Sequence, residues 1–232
     1  MEQHKRNFLK RFAGLAIGAG IAVPSASPVW LRGEEPDEDV APSEDLMREH
    51  GVLNRILLIY EHYEGGLRAG KADLDTTPLR ESAEIIRDFI ENYHEKLEED
   101  HLFPRFEKAN KLADLTGTLR FQHKAGRRLT ERILARSDAK VWKDSSNRME
   151  VASALADFIR MYRPHEARED TVLFPALRSI ISAHEYAALG EDFESLEHKL
   201  FGKEGFEGVV ERVAGIEKRI GIYELSQFTP KS

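Results

Sequence analysis

Two stretches of the chain carry the same charged cluster. Residues 94–104 read HEKLEEDHLFP and residues 165–175 read HEAREDTVLFP. Both obey H-E-x-x-E-[ED]-x-x-L-F-P, offset by 71 residues throughout. In a helix, positions four apart differ by only about 40° and lie about 6 Å apart along the axis. His94 therefore projects with Glu98, and His165 with Glu169. An imidazole nitrogen beside a carboxylate oxygen is a donor set for a divalent cation. With no cysteine in the chain, the set suits iron, manganese or zinc.

The elements that must position these pairs are four long helical patterns. Helix A is expected from a cap at Ser43 to about Leu67. Helix B runs from Thr77-Pro78 to about Lys108, helix C from about Leu112 to Arg136, and helix D from Ser145 or Ser146 to about Ala183. Prolines at 104, 164 and 175 predict kinks. Leu46, His50, Leu53, Leu57 and Tyr60 step by alternating fours and threes. So do Val151, Leu155, Phe158, Tyr162, His165, Glu169, Val172 and Ala176. Ala83, Ile86, Ile90, His94, Leu97 and His101 share a face of helix B, with Glu98 at its edge. Leu119, His123, Gly126 and Ile133 share one of helix C. Each stripe is the inward seam of a bundle helix, and each carries a histidine near its middle. An ionised carboxylate on such a seam is costly unless it is paired or bound to a cation. The candidate metal set is thus His50, His94, Glu98, His123, His165 and Glu169. Tyr60, Tyr93 and Tyr162 read as core.

No segment shows sustained alternation. The expected fold is all-α: an up-down-up-down four-helix bundle over 43–183, with a C-terminal helical extension over 184–232. The 232 residues are 41% hydrophobic and 32% charged, with a formal net charge of −7 that argues against a nucleic-acid partner. The missing cysteines exclude disulfides, thiolate metal sites and a lipoprotein anchor. Residues 1–27 have the basic, apolar and small-polar regions of an export signal, followed by an acidic linker over 28–42. KRNFLK resembles a twin-arginine export box with Lys5 in place of the first arginine. That predicts a periplasmic or otherwise exported protein, with no membrane attachment once the signal is removed.

At the motifs REHGVL, HEKLEEDHLFP, QHKAG and HEAREDTVLFP the chain resembles bacterial hemerythrin-like proteins, the class of the His-His-Glu cation-binding domain, over roughly residues 43–180. The resemblance implies two non-haem iron ions held by the six residues above, with Glu98 and Glu169 bridging; zinc or manganese is the lesser expectation. It implies binding of O2, NO or peroxide by a carrier, sensor or scavenger. A diiron redox enzyme of peroxidase or NO reductase type, or an iron storage or delivery protein, is the alternative at the same site. The H-x3-E order, unlike the E-x-x-H of ferritin-like enzymes, favours the first group. One departure stands out. Oxygen-carrying hemerythrins place a second histidine four after the one in helix C, and here that position is Arg127. His101 and Glu95 are the available substitutes.

Overall fold

The computed structural model describes residues 40–71, 73–202 and 205–230. The expected export signal, and the linker up to residue 39, lie outside them. The described residues are helical, with short turns and no strand among them.

Helix α1 is Pro42–Arg68, with proline at its start and Glu44 and Asp45 in the first turn, where carboxylates favour the helix dipole. Its cap is Ala41 rather than Ser43. Helix α2 covers 77–108 and alternates α-helical and π-helical turns, the latter at Ile86–His94 and Glu98–Leu102. Asn110 and Leu112, both at positive φ, reverse the chain into α3, Ala113–Arg136. Asp144 caps α4, its side chain accepting from Ser146 N at 2.8 Å. Helix α4 covers 145–177 and contains a π-helical stretch at Glu169–Leu173.

Helix α1 packs on α2 and α4, and α3 packs on the same two. Four antiparallel neighbours thus close the square of an up-down-up-down bundle around a core that includes Leu46, Leu53, Ile86, Leu119, Leu155 and Phe158. Helix D of the sequence reading ends earlier than expected, at Leu177. Ser182 and Glu185 form a reciprocal capping box that starts a new helix, α5, Ala183–Phe201. Helix α6, Gly205–Ile220, follows. These two pack against α1 and α2. Arg55 grips Glu217 through two hydrogen bonds of 3.0 and 2.5 Å, and Phe201 stacks edge-on against Phe89 and Tyr93. No helix of the described residues is long and apolar enough to cross a membrane.

Two of the three π-helical stretches among the described residues sit inside the repeated motif. Glu98–Leu102 and Glu169–Leu173 are equivalent under the 71-residue offset; each opens on the motif's second glutamate and is followed by Phe-Pro. Proline has no N–H to give the carbonyl one turn earlier. A widened turn ahead of it accommodates the lost bond, and such turns recur at functional sites.

Candidate metal centre

The structure brings all six sequence-derived residues together in the middle of the bundle. Each is at most 4% exposed. Their inward atoms converge: His94 Nε2 lies 3.1 Å from His50 Nε2, and Glu169 Oε2 lies 3.4 Å from His50 Nε2 and 3.2 Å from His165 Nε2. Glu98 turns one oxygen to His94 Nε2 at 3.8 Å and the other to His123 Nε2 at 3.4 Å. Two trios, His50/His94/Glu98 and His123/His165/Glu169, each offer donor atoms within 4.8 Å of one another. Neither oxygen of Glu98 or of Glu169 has a hydrogen-bond partner, nor does His123 Nε2. Two buried carboxylates without hydrogen bonds are expensive in a packed core, and a pair of cations between them would offset that cost. The residues present therefore fit a two-metal centre.

The outward nitrogen of every histidine is held. His94 Nδ1 donates to Glu49 at 2.7 Å, His165 Nδ1 to Gln122 at 2.9 Å, His50 Nδ1 to Asp170 at 2.7 Å and His123 Nδ1 to Glu99 at 3.0 Å. Such acceptors fix the tautomer that leaves Nε2 free as a ligand and raise its basicity. The pattern has an internal two-fold logic. The residue just before each lone histidine, Glu49 or Gln122, holds the motif histidine of the next helix. The sixth motif residue, Glu99 or Asp170, holds the lone histidine of the other neighbour. The second motif residue, Glu95 or Glu166, meets the side chain four after that lone histidine: Arg127 at 2.7 Å or Asn54 at 2.9 Å.

Comparison with known proteins agrees with this geometry. The model of the Hemerythrin HHE cation binding domain family matches residues 41–177, and also 114–218. The chain belongs to that hemerythrin family. It is 54% identical over 235 residues to the "Uncharacterized protein Rv1995" of Mycobacterium tuberculosis (strain ATCC 25618 / H37Rv), covering 97% of this chain and 91% of the relative. The "Uncharacterized protein Mb2018" of Mycobacterium bovis shows the same identity and coverage. No solved structure matches the chain significantly.

As a member of the hemerythrin family the chain has a cation-binding domain, and its electrostatics suit one. Burial and the neighbouring Glu169 charge push the Glu98 carboxyl well above its usual range. Burial also opposes ionisation of Glu169, but His165 and His50 outweigh it and hold that carboxyl well below the usual range. Burial works against the His50 imidazolium too, yet Asp170 and Glu169 raise its pKa to about 10. Burial pushes His94 well down and His123 down to about 4. The cluster thus favours His94 and His123 as neutral donors, while His50 and Glu98 hold protons more readily than usual, and cations would displace those protons.

Two expectations fail for one reason. Val172, placed on the inward seam, is 37% exposed, and His101 turns away to pack against Phe193 of α5, ring centroids 5.7 Å apart. These positions are equivalent in the repeat, and both lie within the π-helical turn that the glutamate opens. The extra residue in that turn rotates them off the seam, and His101 stands outside the His/Glu clusters found among the described residues. Arg127 leaves no vacant place either. Its guanidinium sits 2.7 Å from Glu95 and 2.9 Å from Glu99. Glu95 also accepts from the Tyr162 hydroxyl at 2.7 Å, and its nearer approach to His123 Nδ1 is 4.0 Å. Burial raises the Glu95 carboxyl to about 8 despite Arg127.

Tyr162 reaches Glu95 because Gly126 has no side chain. A Cβ there would lie 2.0 Å from the tyrosine oxygen and 2.8 Å from Cζ. Sequence reasoning put both residues on inward seams and missed the contact between them. It also missed Glu49, Gln122, Glu99 and Asp170 as supports. Each stands directly beside a candidate ligand in sequence, but the histidine it supports lies on another helix. His62 packs against Tyr63 away from the centre, and His4 lies outside the described residues.

Proposed function

We propose that His50, His94, Glu98, His123, His165 and Glu169 hold two iron ions, and that Glu98 and Glu169 serve both. Such a pair supplies reversible binding of O2 or a related small molecule, NO or peroxide, which makes the protein a carrier, sensor or scavenger. One observation carries this reading: two fully buried carboxylates with no hydrogen bonds face four imidazole Nε2 atoms whose outer nitrogens are all engaged. Nitrogen-rich, carboxylate-poor donors of this kind suit ferrous iron. The chain's own part is to orient the four imidazoles through their outer nitrogens and keep bulk water out of a core of Phe103, Phe158 and Phe174.

A redox-enzyme reading draws on the buried Tyr162–Glu95 hydrogen bond beside His123 and His165. Export through residues 1–27 is part of the proposal and rests on the KRNFLK box; sequencing the N-terminus of protein recovered from the native host tests it. The deciding experiment is anaerobic ferrous reconstitution, elemental analysis and optical spectra before and after O2, NO and H2O2. About two irons per chain with a reversible spectral change supports the carrier reading, and continuous peroxide consumption with a reductant moves it to the enzyme. Tight zinc with no iron uptake overturns both.

A further inference from the structure

The outer face of α3 and α4 carries a groove of about 660 Å³, lined by Gln122, Ala125, Arg128, Leu129, Arg132, Asp157, Arg160, Met161 and Pro164. The volume falls within the roughly 300–1,000 Å³ of small-molecule sites. The helices run antiparallel, and two contacts set their register: Gln122 against His165, and Gly126 against Tyr162. From the centre outward the groove therefore passes Gln122 and Pro164, then Ala125 and Met161, then Arg128, Leu129 and Arg160, then Arg132 and Asp157. Its inner end is apolar around one amide. Its outer end holds three guanidinium groups against one carboxylate.

Among the described residues, none of the three arginines forms an ion pair, and neither does Asp157. Arg128 and Arg132 are four apart on one helix face, where like charges repel, and Arg160 adds a third cation across the groove. The chain as a whole carries −7. A cluster of unpaired arginines on an acidic protein fits an oxyanion, because the guanidinium fork matches phosphate in two-point contact.

We infer that this groove binds a small phosphate monoester of nucleotide size, its phosphate on Arg128, Arg132 and Arg160 and its apolar body over Ala125, Met161 and Pro164. The bound body lies against Gln122, the residue that holds His165 Nδ1. Occupancy is thereby felt one hydrogen bond from the centre. The site stands independently of which metal the centre holds.

The test uses the full chain and two probe pairs, FMN with riboflavin and AMP with adenosine, plus inorganic phosphate, by calorimetry at low salt. At least one phosphorylated probe should bind about tenfold or more tightly than its unphosphorylated partner. Arg128→Gln and Arg160→Gln should each remove most of that difference. Both are exposed substitutions that leave melting temperature and metal content as in the parent. The side-chain amide NMR signals of Gln122 should shift with the binding isotherm. Equal affinity within both pairs overturns the inference, as does binding that ignores both substitutions. Inorganic phosphate binding as tightly as FMN and AMP would leave an adventitious ion only and overturn it as well.

Discussion

Glu99 and Asp170 occupy one place twice. Each is the residue after a motif glutamate, and each accepts the Nδ1 hydrogen of the lone histidine on a neighbouring helix, at 3.0 Å from His123 and 2.7 Å from His50. The repeated formula is therefore more than a pair of ligands. Its first residue supplies an imidazole, its second ties the motif helix to the helix of a lone histidine, its fifth faces both trios, and its sixth orients that histidine.

Removing an orienting carboxylate should weaken cation binding without deleting a ligand. Asp170→Asn should lower metal affinity by about 10–100-fold, the usual effect of losing an acceptor behind a ligating histidine. Glu99→Gln should do less, because Lys96 and Arg127 already share the Glu99 charge at 2.6 and 2.9 Å. Competition against a chromophoric chelator measures both. Parent-like affinity in Asp170→Asn would show that His50 needs no outer partner.

Gly126 should be intolerant of even a methyl group. Gly126→Ala places Cβ where the Tyr162 hydroxyl now lies, and overpacking of this kind costs about 1–3 kcal/mol. Tyr162→Phe in the Gly126→Ala background removes the closest atom, so it should recover part of the loss. Thermal melts of the two variants decide it. A second substitution that only worsens the first would mean that Tyr162 is held by Glu95 more than it is crowded by residue 126.

The metal-free protein should lose stability as pH rises. His50 is raised from 6.5 to about 10, Glu95 from 4.5 to about 8 and Glu166 from 4.5 to about 7. A group raised on folding gives its full contribution below its unfolded value and loses it as pH climbs through the folded one. All three therefore act in the same direction above pH 6.5. His123, lowered from 6.5 to about 4, is lost only on the acid side. Urea midpoints of the apo protein should fall between about pH 6.5 and about pH 10, and the metal-loaded protein should change less. A rising apo midpoint over that range would contradict these directions.

The ligands were legible in the sequence and much of their support was not. Seams of alternating fours and threes located His50, His94, His123 and His165 because a bundle core imposes that period on any side chain it buries. The same period misplaced His101 and Val172, since it assumes a uniform α-helix and the motif opens a wider turn at Glu98 and at Glu169. Pairs such as Glu49 with His94, or Gln122 with His165, join different helices. No periodicity within one helix reveals them; they need the rotation of two helices about their own axes. The start of α5 was readable, for Ser182 and Glu185 have capping-box spacing, but the apolar run on either side concealed the break.

Glu169→Gln is the sharpest test of the centre. The substitution keeps volume and removes the charge that makes the residue a partner for both His50 and His165. Metal content after reconstitution should fall sharply. The apo variant should also melt lower than parent apo, because the His50 imidazolium loses one of its two carboxylates and retains only Asp170. The melting temperature of one form therefore does not isolate the cation's contribution, whereas the gap between loaded and metal-free forms does. A cation that binds only the folded chain stabilises it by about 2.7 kcal/mol at one hundred times its Kd, or roughly 5–10 °C for a domain of this size. Parent protein should show a gap of at least that order, and Glu169→Gln should show little. Equal gaps with equal metal content would place Glu169 outside the centre and assign its burial to the His50 and His165 contacts alone.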